Sequence, residues 1–345
     1  MGKSRSLGLD LLRCLSCISV VILHVSSIYL KKDLLNNILS NTDYAIGLFY
    51  RIVTTLAVPA FVMLSGAFLL NSKNRDYKAF YQKMTKRIIY PTVLFSIVYV
   101  VMHYCEMILA QTMGVSIGNE KYNMWTPLLN CLKGEPNATM WFMFMIIGLY
   151  LVTPVIVRVK ETISQRNYMY FAISLFIYGI LIFYTCDLSW ILWYTEWMGY
   201  FVLGNLIYEH FCKKNKGKKD ILLGWFCIVI SYGILVVYWL CNFYIQKEAP
   251  IPESFSMPVL AGTVLQFIGF SLLNDKIRIN KSVSEIAKYS LGIYLIHPIL
   301  CEFIMQICGR ILKWLPSAHF IPIISIIITL ACLEITKVMV RLKLL

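Results

Sequence analysis

Charge is what this chain has least of. Charged residues make up 14% of its 345 positions and only 18 of them are acidic, where a soluble domain carries roughly 25% charged residues. That shortage excludes a water-soluble globular domain. The chain also lacks low-complexity segments and any sign of a second domain. No basic patch interleaved with aromatics is present, so the net charge of +14 does not call for a nucleic-acid partner. Cys14 and Cys17 form a single CxxC on an apolar segment with no second ligand pair, and no metal is expected there. Most of the eleven cysteines fall inside apolar stretches, where Cys behaves as a small apolar residue rather than as part of a disulfide framework. The first apolar segment is too long for a cleavable signal and has no small-residue cleavage site, so it reads as a retained signal anchor.

Apolar residues, in contrast, are abundant: 59% of the chain, with a mean hydropathy of +0.68. Stretches of about 20 apolar residues cross a bilayer as helices. Ten are expected, near 7–30, 44–71, 88–112, 139–157, 167–186, 190–211, 221–243, 255–273, 289–312 and 318–340. The expected fold class is therefore all-α, a polytopic membrane helix bundle of about ten transmembrane helices forming one domain over 1–345. With the N-terminus inside, about 23 of the 32 Lys and Arg lie on the cytoplasmic side, as the resistance of these residues to translocation requires. Both termini are then cytoplasmic, and KKNKGKK at 213–219 anchors a cytoplasmic loop against anionic lipid. The longest connections are 72–87 inside and 113–138 outside. The outer one contains Tyr122, Trp125, Pro127 and Pro136 and is expected to fold back over an outward-facing cleft as the candidate for acceptor recognition.

Ionisable groups inside such spans are costly and mark sites by default. Arg13 and His24 lie eleven residues apart in LDLLRCLSCISVVILHVSS. Eleven helical steps return to within about 20° of the starting direction and rise roughly 16 Å, so one face carries both. Arg13 also fits an interfacial anchor that snorkels, with Asp10 three residues earlier as its partner. His24 lies deeper, where a packing histidine needs a buried partner. His297 occupies a second such position, in SLGIYLIHPIL. Pro298 cannot donate to the carbonyl of Tyr294, leaving that carbonyl for a ligand or water, or else simply kinking a packed helix. Pro59 does the same for the carbonyl of Thr55 in VPAFVMLSG. Arg51 sits at a depth comparable with His24 and fits a cavity residue or a helix-end anchor. Lys83, Lys86 and Arg87 form a cationic cluster before the third span, able to hold phosphates or to serve as a positive-inside signal. Trp141 at a membrane interface is weaker, as are Glu106, Glu196, Glu302 and Glu334.

These fragments together resemble acyltransferase family 3, the integral-membrane acyltransferases that O-acetylate bacterial surface glycans. LDLLRCLSCISVVILH is similar to its signature, an arginine and a histidine with ten residues between them. VPAFVMLSGAFLL, KRIIYP, MWFMFMIIGLYLVTPVI, GYFVLGNLIY and SLGIYLIHPIL follow in the family's order, over about residues 8–305. The resemblance implies a multi-pass protein of the bacterial plasma membrane. It would move an acetyl or other short acyl group from cytoplasmic acetyl-CoA to a hydroxyl of an extracytoplasmic glycan or glycolipid. It also implies that Arg13 and His24 take the two first-helix positions and Arg87 the basic position before the third span. The chain departs from the family in offering Lys83 and Lys86 where a second arginine is common, and lysine meets phosphate as a point charge rather than a fork. The block at Trp141 lacks the Ser and Glu of some subfamilies. Acyl transfer needs a base for the hydroxyl proton and a donor for the oxyanion. On this reading His24 is the general base. Arg13, with Arg87 at the cytoplasmic mouth, holds the coenzyme A phosphates. A transporter or flippase with the same groups lining a polar path, or a structural membrane subunit, is the competing class.

Overall fold

The first apolar segment forms a helix, α1 (Leu7–Ser26), that ends in a 3-10 turn over Ser27–Leu30. Its buried residues include Leu9, Leu12, Cys14, Cys17, Val20, Val21 and Val25, as a helix packed against several neighbours requires. The computed structural model describes residues 6–30, 41–71, 76–112, 125–186, 191–212, 217–246, 251–274, 276–308 and 316–345. Tyr122 and the basic run 213–216 lie outside them. All regular structure among the described residues is helical. The chain divides into two compact units, Met1–Leu69 with Tyr200–Lys343, and Leu70–Gly199 with Leu344–Leu345.

In the first unit the second apolar stretch is not one helix but two, α2 (Asn41–Val53) and α3 (Ala57–Leu69), broken at Thr54–Leu56. Pro59 removes one donor, and the hydroxyls of Thr54 and Thr55 turn back to the carbonyls of Tyr50 and Ile52 at 2.8 and 2.7 Å. These bonds compete with the helical ladder and bend it. After Tyr200 come the rest of α10 (Met198–Ile207) and a π-helical turn at Tyr208–Cys212. There follow α11 (Lys218–Gln246), α12 (Met257–Leu272), α13 (Lys281–Cys308) and α14 (Ser317–Arg341). α1 is the hub, packing against α2, α3, α12, α13 and α14. Glycines set its closest approaches. Gly8 lies under the end of α12, where an added Cβ would sit 2.7 Å from Asn274 Cα and where its amide donates to the Asn274 carbonyl at 3.1 Å. Gly66 of α3 and Gly204 of α10 bring those helices into backbone contact at Phe201 and Met63, the small-residue packing common between membrane helices.

The second unit begins with α4 (Tyr77–Met84), capped by Asp76, whose carboxylate accepts from the Ala79 amide at 3.0 Å. A π-helical turn at Thr85–Ile89 carries it directly into α5 (Tyr90–Thr112). The stretch expected to connect spans at 72–87 is thus helical from Tyr77 onward, because the Asp76 cap starts the helix and Met84 and Ile88 bury one side of it. α6 (Thr126–Leu132), the described part of the outer connection, packs on α5 and buries Pro127 while Trp125 remains exposed. α7 (Trp141–Thr162), α8 (Gln165–Thr185) and the single turn α9 (Trp193–Glu196) complete the unit. Gly148 admits the Tyr194 ring against α7, and Gly199 lies on the backbone of Phe176 in α8.

Among the described residues, seven helical segments are long and apolar enough to cross a membrane: 7–30, 42–69 (α2 and α3 taken together), 77–109, 141–162, 165–185, 218–243 and 317–341. Three of the ten expected spans differ. The stretch 190–211 is divided among α9, α10 and a π turn, α12 has only 16 residues, and α13 carries His297, Pro298 and Glu302 within its apolar part.

Candidate functional site

The last turn of α1 gathers the unusual polar groups of the first unit. His24 is partly buried there, and its ring faces that of His297 on α13, with centroids 5.1 Å apart and planes tilted by 44°. From α2, Arg51 reaches the same turn. Its Nη1 donates to the carbonyl of Leu23 at 3.0 Å, and its charge lies within electrostatic reach of His24. The hydroxyls of Ser26 and Ser27 donate to that carbonyl as well, at 3.1 and 2.8 Å. The cause is local: Leu23 is among the last residues of α1, whose carbonyls have no onward helical partner, and a cation there complements the helix dipole.

His297 is fully buried, and its Nδ1 lies 2.6 Å from the carbonyl oxygen of Tyr294. Pro298 releases that carbonyl, and the preceding histidine takes up one of its two acceptor positions. A carbonyl oxygen only accepts, so Nδ1 carries the hydrogen and Nε2 the lone pair. Among the described residues Nε2 is buried without a hydrogen-bond partner, as is Nε of Arg51. His24 has no hydrogen bond from either ring nitrogen among the described residues. Tyr294 itself is buried with its ring 5.5 Å from that of His297. Three side chains from three helices thus meet with an acceptor, a donor and an imidazole that their protein neighbours leave unmatched.

Arg13 lies at the other end of the α1 face. Its guanidinium stacks over Phe68 of α3 at 4.9 Å and sits 3.8 Å from the carboxylate of buried Asp10. Phe68 and Arg51 belong to the two halves of the same broken span, so the face that carries Arg13 and His24 looks onto α3 at one end and α2 at the other. The geometry brings His24, Arg51, His297 and Tyr294 together and leaves Arg13 and Asp10 as a separate pair.

In the second unit Lys83, Lys86 and Arg87 are all exposed. Met84 and Ile88 between them turn inward, and the π turn sets Lys86 and Arg87 on its outer side. Three exposed cations within five residues can meet phosphate oxygens. Trp141 opens α7, packing against the buried Trp197 with centroids 5.7 Å apart and against Phe142 at 6.2 Å.

The tautomer of His297 was hidden from sequence reading, although the His-Pro dipeptide was its signal: a residue with a short-range donor preceding a proline can serve the carbonyl that the proline abandons. The contact between Arg51 and Leu23 had no such signal, since it depends on how two helices meet.

A family model described as an acyltransferase domain matches residues 6–335, a range that runs through both units. No curated protein matches the chain, and no solved structure does.

Proposed function

Since the chain belongs to acyltransferase family 3, and is as such a multi-pass membrane acyltransferase, we propose that it moves an acetyl group from acetyl-CoA to a hydroxyl of a surface polysaccharide or related glycan, with His24 as the general base. The observation that carries this reading is an imidazole without a hydrogen-bond partner among the described residues at the end of the hub helix, beside an arginine whose Nε–H is equally unmatched among them. A base must be neutral and have a free lone pair before it can take a proton. The Nε–H of Arg51 supplies a donor for the oxygen that becomes negative in the tetrahedral intermediate.

The steps balance as follows. The acceptor hydroxyl loses its proton to His24 as its oxygen attacks the thioester carbonyl. Collapse of the tetrahedral intermediate breaks the carbon–sulfur bond. The imidazolium then returns its proton to the departing thiolate, giving an ester and free thiol. Direct attack is preferred over an acyl-enzyme because, among the described residues, no Ser–His pairing within hydrogen-bond reach supports a nucleophile. Arg13 is offered to the donor's phosphates, as are Lys83, Lys86 and Arg87 on their own exposed turn. Acceptor recognition is assigned to the outer connection 113–138.

Transfer of labelled acetyl groups from acetyl-CoA to glycan tests the reading, in membranes containing the wild type, His24→Ala or Arg13→Ala. His24→Ala is expected to insert normally and lose transfer by roughly 10²–10⁴-fold, the usual contribution of a positioned base, while Arg13→Ala chiefly raises KM for the donor. Full turnover by His24→Ala would remove the base. Unlabelled glycan with the wild type, together with intact glycan export, would favour a transporter.

A further inference from the structure

We infer that His297 is a positioning residue for His24, and that during transfer its Nε2 accepts the N–H of one His24 nitrogen so that the other is presented to the acceptor hydroxyl. This rests on the reading of His24 as the base. The argument begins at Pro298. Having no N–H, it strips the Tyr294 carbonyl of its helical donor, and Nδ1 of His297 replaces it at 2.6 Å. That bond locks His297 in one tautomer, with its only lone pair at Nε2. Nε2 is fully buried and unmatched among the described residues, whereas buried polar atoms in folded proteins are nearly always paired.

The closest aromatic partner of His297 is His24, at 5.1 Å between centroids. A ring nitrogen lies about 1.2 Å from its ring centre, so an N–H···N bond of about 3 Å places two imidazole centroids on the order of 5 Å apart. The separation already suits the bond. What is missing is orientation, and the terminal torsion of a histidine is soft. Turning the His24 ring would satisfy the buried acceptor without moving a helix.

The consequence for transfer is specific. The N–H that His24 gives to His297 stays in place throughout, while the opposite nitrogen of His24 takes the hydroxyl proton and later hands it to the thiolate. His297 does not compete for that proton, because its own hydrogen faces an amide oxygen, which is not a base. The other charged and titratable groups facing the pair are Arg51 from α2 and Tyr294 on the same turn of α13.

Two substitutions separate the roles of the two nitrogens. His297→Asn keeps an amide N–H near the Nδ1 position for the Tyr294 carbonyl and has nothing at the Nε2 position. His297→Gln carries an acceptor oxygen out to the Nε2 position. The Asn variant is expected to fold like the wild type and to lose kcat on the order of tenfold to a hundredfold, the scale seen when a histidine loses its orienting partner. KM should hold for both substrates, and the acid limb of the pH–rate profile should move. The Gln variant is expected to recover part of the loss. Nitrogen-15 spectra of histidine-labelled protein in lipid nanodiscs give a readout independent of turnover: His297 should be protonated at Nδ1, and the His24 resonances should change in His297→Asn. Protonation of His297 at Nε2 would overturn the inference. So would wild-type kcat and an unmoved pH profile for His297→Asn while His24→Ala is inactive, a result that leaves His24 as the base. Full activity of His24→Ala would instead remove the base and its partner together.

Discussion

Arg51 holds the end of α1 from outside, its Nη1 on the Leu23 carbonyl and its Nε–H unmatched beside His24. These two atoms predict two separable losses. Arg51→Met removes a charge-assisted hydrogen bond and is expected to lower stability by about 1.5–3 kcal/mol. If the Nε–H meets the oxyanion, kcat falls as well, by roughly 10²–10³-fold. Arg51→Lys keeps a cation at the helix end, so its thermal midpoint in detergent should stay near the wild type while its rate does not recover. A full rate for the lysine variant would show that charge alone suffices. At this scale the sequence marked Arg13, His24, Arg51 and His297, because each is an ionisable group in an apolar segment. It left Arg51 divided between a cavity residue and a helix-end anchor, and the structure adds a contact that neither reading named, from its Nη1 to the Leu23 carbonyl. For the Tyr294 carbonyl the sequence left a ligand, water or a simple kink open, because a proline predicts which bond is lost and does not predict which neighbour replaces it.

Helix existence was legible where about 20 apolar residues ran together, and among the described residues seven of those segments are helical over a sufficient length. Helix continuity was not. The break between α2 and α3 depends on Thr54 and Thr55 choosing backbone acceptors behind them, and the run from Tyr77 through the π turn into α5 depends on a cap at Asp76. Both are local decisions that hydropathy averages away. Glycine shows how packing decides what identity alone leaves open. A Cβ on Gly66 would collide with the Phe201 backbone, whereas one on Gly233 meets nothing within 4 Å. Gly66→Ala should therefore destabilise the protein by about 1–3 kcal/mol, since a neighbouring main chain yields less than a side chain. Gly233→Ala should stabilise it by about 0.5–1 kcal/mol, through the lower conformational entropy of its unfolded chain. Thermal midpoints measured in one detergent compare them, and a shift of the same sign for both would contradict the packing argument.

For the molecule as a whole, the distribution of charge carries a prediction about sidedness. In the first unit the Gly8 amide at the start of α1 is bonded to Asn274 at the end of α12, and α13 begins a few residues later at Lys281. Lys337 in the last turns of α14 reaches back to Glu285 in the first turns of α13 at 2.7 Å. The beginning of α1, the connection from α12 to α13 and the end of α14 therefore lie at one end of this unit. That end is basic, with Lys276, Arg278, Lys281, Lys288, Lys337, Arg341 and Lys343. Lys and Arg are retained on the cytoplasmic side, and we propose on that ground that both termini are cytoplasmic. Green fluorescent protein fused at either terminus is accordingly expected to fluoresce, and alkaline phosphatase inserted within 113–124 to be active. Phosphatase activity from a fusion after Leu345 would reverse the sidedness. It would also move Arg13, which lies one to two turns from the basic end of α1, away from the compartment that supplies acetyl-CoA, and so separate it from the donor role proposed for it.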